Sequence, residues 1–198
     1  NQLFWDCGRA PTTVVEHGVV DPGYRYEGDH ARAGVVVNEP VRRWRVTGTD
    51  LLPTFSRTSP LDVFGMGVRE LPQRLGVDDG RVVTFEDLPQ HRMHEELARR
   101  RVYLHPFRWT SLGLALVEAM HLGMPVVSLA TTEAVDAVPP DAGVVSNRPE
   151  LLTDALRAFL ADPERARETG AAARAAATKR YSLHRFLAAW DRIFEEVT

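Results

Sequence analysis

The chain has 198 residues, enough for one well-filled core or for one domain with an appendage. Its net charge of −3 excludes a whole-chain electrostatic case for nucleic acid, and no apolar run nears the roughly 18–20 residues that span a bilayer. The single cysteine, Cys7, excludes an internal disulfide or zinc site and points to a reducing, cytoplasmic setting, with peripheral association at the inner face of a membrane left open.

The sequence opens on Asn1 rather than Met, so a fragment is expected. Residues 1–30 hold Gly8, Gly18, Gly23, Gly28, Pro11 and Pro22 and one β-like run, Thr12–Val15; they read as an interdomain segment or the tail of a preceding domain. Residues 31–198 read as a single α/β domain. Its strands are expected at Gly34–Val37, Leu61–Phe64, Arg81–Phe85, Val102–His105, Pro125–Leu129 and Gly143–Ser146. Each run is short, rich in Val, Leu or Phe and not cleanly alternating, as in parallel strands buried on both faces. Helices are expected between them at Asp50–Phe55, Val68–Leu75, Pro89–Arg100, Leu112–Leu122 and Thr131–Val138. Strand–helix alternation of this kind predicts a doubly wound, Rossmann-like parallel sheet with helices on both faces.

The last fifty residues read as three helices. Pro149 suits a first helical turn, Asp162-Pro163 opens a second helix and Ser182 can N-cap a third. In the third, Leu183, Phe186, Leu187, Trp190, Phe194 and Val197 form one apolar stripe, expected to pack on the sheet domain.

The stretch His105–Ser128 carries the chemistry: a strand, a polar turn, a helix and a second strand. Ligands of open α/β sheets sit at the carboxyl ends of the strands, where the turn Phe107–Ser111 lies. With Thr110 or Ser111 as N-cap, the backbone N–H groups of Ser111, Leu112 and Gly113 would face an anion at the positive end of the helix dipole, a ready diphosphate site. Gly113 would let the backbone approach closely. Glu118, further along, could clamp two adjacent ribose hydroxyls; from spacing alone, a surface carboxylate on a plain amphipathic helix is as good a reading. With one lysine in the chain, Lys179, an anion site away from the C-terminus has to use arginine, backbone N–H or hydroxyl groups.

Ser111-Leu-Gly-Leu-Ala-Leu-Val-Glu-Ala-Met120 followed by Gly123-Met-Pro-Val-Val127 resembles the signature of the family-four retaining glycosyltransferases of GT-B fold. The resemblance extends over about Val14 to Val197. It takes in Val14–Gly18 as an interdomain strand, Gly143–Val145 as the next strand and the closing helices. It implies the C-terminal, donor-binding half of a two-domain enzyme that moves a sugar, with retention, from a nucleotide-diphosphate donor to an unknown acceptor. The partner would be an N-terminal domain of the same protein, with no metal or cofactor required. Glu118 would bind the ribose, and Ser111, Leu112, Gly113 and Leu114 would hold the diphosphate and the sugar.

Three departures mark this chain. The family's leading glutamate falls on Thr110, a hydroxyl without charge. The Arg and Lys that the family presents to the diphosphate lie on the loop after the first strand, here Asn38–Gly48. There the Lys position falls on Thr47, so Arg42, Arg43 or Arg45 would supply the charge, with bidentate geometry in their favour. After the Pro-Val-Val strand, the usual small loop is filled by Thr132 and Glu133, with Asp136 at the acidic position. A nucleotide-sugar epimerase of GT-B fold and a non-catalytic nucleotide-sugar-binding domain are the competing readings.

Other signals weigh less. Gly65-Met-Gly67 is half a dinucleotide fingerprint, with Glu70 in place of the third glycine, and is expected simply to border the cleft. His91 and His94 have a helical spacing compatible with metal but no third ligand, and read as a surface pair. Phe85–Leu88 could touch a nucleobase, Trp109 reads as packing, and Cys7 as an inert thiol.

Overall fold

The structure, a computed structural model, describes residues 12–77 and 79–197. Cys7, Gly8 and Pro11 lie outside the described residues. Six strands form one parallel sheet: β1 (His30–Val36), β2 (Leu61–Gly65), β3 (Val82–Glu86), β4 (Arg100–His105), β5 (Val126–Ser128) and β6 (Gly143–Val145). Their spatial order is β3-β2-β1-β4-β5-β6, that of a doubly wound sheet, and all six expected strands are present. Chain direction across the sheet reverses between β1 and β4, so the crevice outside their carboxyl ends is where such a sheet binds ligands.

β2 and β4 are buried along nearly their whole length, which accounts for their unbroken apolar character. One face of the sheet carries α1 (Pro40–Arg43), α2 (Leu52–Ser56, after a 3-10 turn Thr49–Leu51), α3 (Leu71–Leu75) and α7 (Pro149–Ala161). Leu52, Phe55, Leu71, Leu152, Leu156 and Phe159 from these elements fill one core. The opposite face carries α4 (Gln90–Ala98), α5 (Leu114–Leu122), α6 (Ala134–Ala137) and α8 (Pro163–Tyr181). Leu97, Leu116, Met120, Leu122, Ala173 and Ala177 lie in the second core. Each fully buried leucine contributes roughly 1.5–3 kcal/mol. The alanines of α8, with Gly170, let that helix lie close on α5: a side chain at Gly170 would run into the Gly123 carbonyl.

The helix ends follow local chemistry. Pro149 opens α7, and the Asp162 side chain accepts from the Arg165 N–H at the start of α8. Ser182 Oγ accepts from the Arg185 N–H at 3.4 Å to open α9 (Leu183–Val197). Gly123 ends α5 in the left-handed region that favours glycine, at φ 91°.

Several expectations are corrected. Thr12–Val15 belongs to no strand, and the Val14–Gly18 run makes no ladder; an isolated β-bridge joins Val19 to Ser182, and Arg180 pairs with Glu16. Residues 19–29 lie on the α/β domain: Val19 and Tyr26 are buried, and Tyr26 donates its hydroxyl to the Arg101 carbonyl. The segment Asn38–Gly48 contains a helical turn, α1, rather than an open loop. The helix expected from Val68 starts at Leu71, because the N–H groups of Gly67, Val68 and Arg69 are taken by the Glu86 carboxylate. The helix expected over Thr131–Val138 shrinks to Ala134–Ala137, with Thr132 at positive φ before it. The stripe on α9 does not pack on the sheet: Leu187 is 51% exposed and Phe194 59%. Among the described residues, no helix is long and apolar enough to cross a membrane.

Candidate functional site

The loops that follow β1 and β4 meet at the carboxyl edge of the sheet. Arg108 and Trp109 donate their backbone N–H groups to the Val46 carbonyl. Gly48, at φ 70°, lies against the Pro106 carbonyl so closely that no other residue fits there. Arg108 grips Asp50 through both guanidinium arms at 2.5 and 3.0 Å, which fixes the two loops to each other. From the other side, Thr131 donates to the Phe107 carbonyl at 2.6 Å and the Glu133 N–H to the Ser111 carbonyl. The turn Phe107–Gly113 is thus held by its neighbours on both sides.

α5 begins later than the sequence suggests. Its N-cap is Gly113, in extended conformation at φ −72° and ψ 107°, and no side chain caps it. Thr110 and Ser111 therefore lie in the turn and are not caps. The N–H groups of Leu114 and Ala115, in the first turn, have no carbonyl within the helix and face outward at its positive end. Gly113 is required by what lies beneath it. A Cβ there would sit 2.5 Å from His105 Cε1 and 3.0 Å from Nε2. The His105 ring is buried, stacked on Phe107 at 4.7 Å, with the Tyr103 hydroxyl near its Nδ1; burial pushes its pKa down to about 4, so it is neutral at physiological pH.

One turn into the same helix, Glu118 points into a cleft of about 410 Å³ between α4, α5 and residues 17–25. Leu114, Gln90, His91, His94 and Arg25 also line it. Gln90 of α4 holds the carboxylate, donating to Oε1 at 2.8 Å; His94 Nε2 lies beside Oε2 at 3.4 Å without a hydrogen bond. Its side chain is 14% exposed, so Glu118 faces the cleft and not bulk water. His94 is thus no member of a surface pair, and among the described residues no group of three or more His, Cys, Asp or Glu lies together as a metal would need. No motif marks Gln90 or His94 as a partner of Glu118; their i, i+4 placement on one helix face is the signal the sequence offers.

The other candidates divide. Ser111 and Leu114 are exposed, and Thr110, Leu112 and Gly113 are half-buried. Thr47 is buried, its hydroxyl bonded to the Trp44 carbonyl and to Thr49 Oγ1, so it offers nothing to a diphosphate in this arrangement. Arg42 is exposed but paired with Glu39 three residues earlier, and the arginine holds that carboxyl below the usual range. Arg43 and Arg45 form no side-chain hydrogen bond or ion pair with the described residues; the Arg45 carbonyl accepts from Arg108. Phe85 is stacked on Phe64 at 4.6 Å, with Arg100 over both rings, and is packing rather than a base contact. Trp109 is the reverse: read as packing, it is 74% exposed. At the Gly65-Met-Gly67 turn the Met66 N–H goes to Asn38 Oδ1, and those of Gly67, Val68 and Arg69 go to the Glu86 carboxylate, so that nest is filled from within the chain.

The family model of glycosyl transferases, group 1, matches residues 70–176, more than half of the chain. The chain belongs to that family. A search of curated protein sequences gives no match. Solved structures of similar fold include the sucrose-phosphate synthase of Thermosynechococcus elongatus, 18% identical with a TM-score of 0.81, which covers 98% of this chain and 55% of the other. A glycosyltransferase from Rickettsia africae gives 16% identity and a TM-score of 0.70, over 93% of this chain and 57% of that one. The Anabaena protein HepE, in complex with UDP and glucose, gives 16% and 0.67, over 85% and 49%. At these identities the likeness is one of fold. This group 1 chain spans about half the length of the structures it matches.

Proposed function

We propose that this chain is the nucleotide-sugar-binding half of a retaining glycosyltransferase of GT-B architecture, completed by an N-terminal domain that supplies the acceptor side. The observation that carries this reading is the placement of Glu118. In a family member, a carboxylate held by Gln90, with His94 beside it, lines a cleft one turn below the N–H groups of Leu114 and Ala115, which no carbonyl within the helix can take. A donor diphosphate at that helix start would lie in the field of the dipole, with its pentose hydroxyls toward Glu118. HepE, of the same fold, is solved with UDP and with UDP-glucose, which supports a nucleotide sugar as donor here.

In the transfer, the bond from the anomeric carbon to the diphosphate oxygen breaks as an acceptor hydroxyl oxygen bonds to the same carbon, and the hydroxyl's proton passes to the departing diphosphate. Negative charge gathers on the departing diphosphate. The N–H groups at the start of α5 are preorganised for it, and Arg43 or Arg45, uncommitted to carboxylates, would add positive charge. Arg42 would first have to leave Glu39. The Thr110 hydroxyl would contact the donor sugar without charge. No metal ion enters this scheme.

The test is calorimetry with UDP, GDP, ADP and dTDP on the wild type and on Glu118→Ala. At least one nucleotide is expected to bind the wild type, and the substitution to weaken it about tenfold or more. Absence of binding by all four, or an unchanged affinity in the variant, would refute the reading.

A further inference from the structure

Among the described residues that line the cleft, His94 is the one whose buried side chain has a nitrogen without a hydrogen bond. Its side chain is more than nine-tenths buried, on the face of α4 that also buries Leu97 and Ala98. Its Nε2 has no hydrogen-bond partner among the described residues, and the nearest polar atom recorded for it, Glu118 Oε2 at 3.4 Å, is too far for a good hydrogen bond. A buried orphan of this kind is destabilising, and the cost is relieved when a ligand group completes it. The other carboxylate oxygen, Oε1, already accepts from Gln90.

We propose that His94 is a specificity-determining residue of the donor site, which makes the donor a ribonucleoside diphosphate rather than a deoxyribonucleoside diphosphate. The proposal rests on the donor reading of the cleft and adds to it a residue and a substrate class. Nε2 and Oε2 lie 3.4 Å apart, so a hydroxyl about 2.8 Å from each completes a triangle. That hydroxyl donates its proton to the carboxylate and accepts from Nε2–H, in the tautomer that carries hydrogen on Nε2. Both of its hydrogen-bonding functions are then used. A sugar without that hydroxyl leaves Nε2 unpaired and buried, and sites built this way reject the analogue that lacks the group. With Gln90 on Oε1 and His94 beside Oε2, the carboxylate has one remaining direction on each oxygen, which suits two adjacent hydroxyls of one pentose.

The experiment is calorimetry on the full chain. It uses whichever of UDP, GDP and ADP binds tightest, with the 2′-deoxy and 3′-deoxy forms of the same nucleotide. Three proteins are compared: wild type, His94→Phe, which keeps the ring and its burial, and His94→Gln, which keeps a donor at similar reach. The wild type is expected to bind the ribonucleotide about tenfold more tightly than one of the two deoxy forms, and to bind dTDP weakly. His94→Phe should lose that preference, with the affinity of the disfavoured deoxy form changed less than about twofold, and His94→Gln should recover part of it. Thermal midpoints of both variants near that of the wild type show that the fold is kept; if His94→Phe does not fold, the same comparison is made with His94→Gln, which should narrow the preference. Wild-type binding with a preference untouched by either substitution would overturn the role of His94 and leave the donor reading standing. A wild type that binds none of the ribonucleotides would overturn the donor reading, and this proposal with it.

Discussion

Gly113 shows how tightly one residue constrains the site. It is tied to the ring beneath it rather than to an unusual backbone angle, because a methyl group there meets His105 at 2.5 Å. Gly113→Ala is expected to cost about 1–3 kcal/mol as His105 or the start of α5 gives way, and to weaken nucleotide binding as well. A urea midpoint within error of the wild type would contradict this. Glu118 was legible in the sequence because its motif is local. Its partners were not, since Gln90 and His94 lie on another helix and only the fold brings them to it. Arg42 has a partner in its own segment. Its expected role as a phosphate ligand follows from its place on the loop after the first strand, and that place does not show that Glu39, three residues before it, holds the guanidinium.

At the scale of elements, the sheet was legible strand by strand, because burial on both faces writes itself as short apolar runs. Helix starts were less so: α3 and α5 both begin later than their apolar pattern, with the N–H groups of Gly67, Val68 and Arg69 bonded to Glu86 ahead of α3 and Gly113 extended ahead of α5. Least visible was the ion network across the sheet. Asp62 on β2 takes Arg100 from β4 at 2.7 Å and Arg32 from β1 at 2.5 Å, and Arg100 also reaches Glu96 at 2.8 Å. Arg100 crosses over β1 at Gly34, where a side chain would collide with Leu97. A glycine in a strand signals such an approach without saying what approaches. Asp62→Ala would leave Arg100 buried and short of its partner. A loss of about 3–5 kcal/mol in denaturant unfolding is expected, and one under about 1 kcal/mol would show that the network contributes little.

For the whole molecule, the titrating groups set the acid limit of stability. Burial holds the His105 imidazole down at about 4 and also lowers His121. As pH falls through about 6.5, the unfolded chain takes up protons that the folded chain refuses, so stability decreases from there toward pH 4. Arg100 holds Glu96, and Arg174 holds Asp21, below the usual carboxylate range; the stability they contribute is present above that range and is lost as pH falls further. Melting temperatures measured from pH 8 to 5 should therefore decline, and His105→Phe should flatten the decline; a slope unchanged by that substitution would contradict the assignment.

The most direct test of the donor site is a crystal structure of the chain with the nucleoside diphosphate that binds it best. The expected result is a diphosphate within hydrogen-bond reach of the Leu114 and Ala115 N–H groups, with pentose hydroxyls on Glu118. A ligand bound elsewhere on the sheet, or a pentose turned away from Glu118, would contradict it.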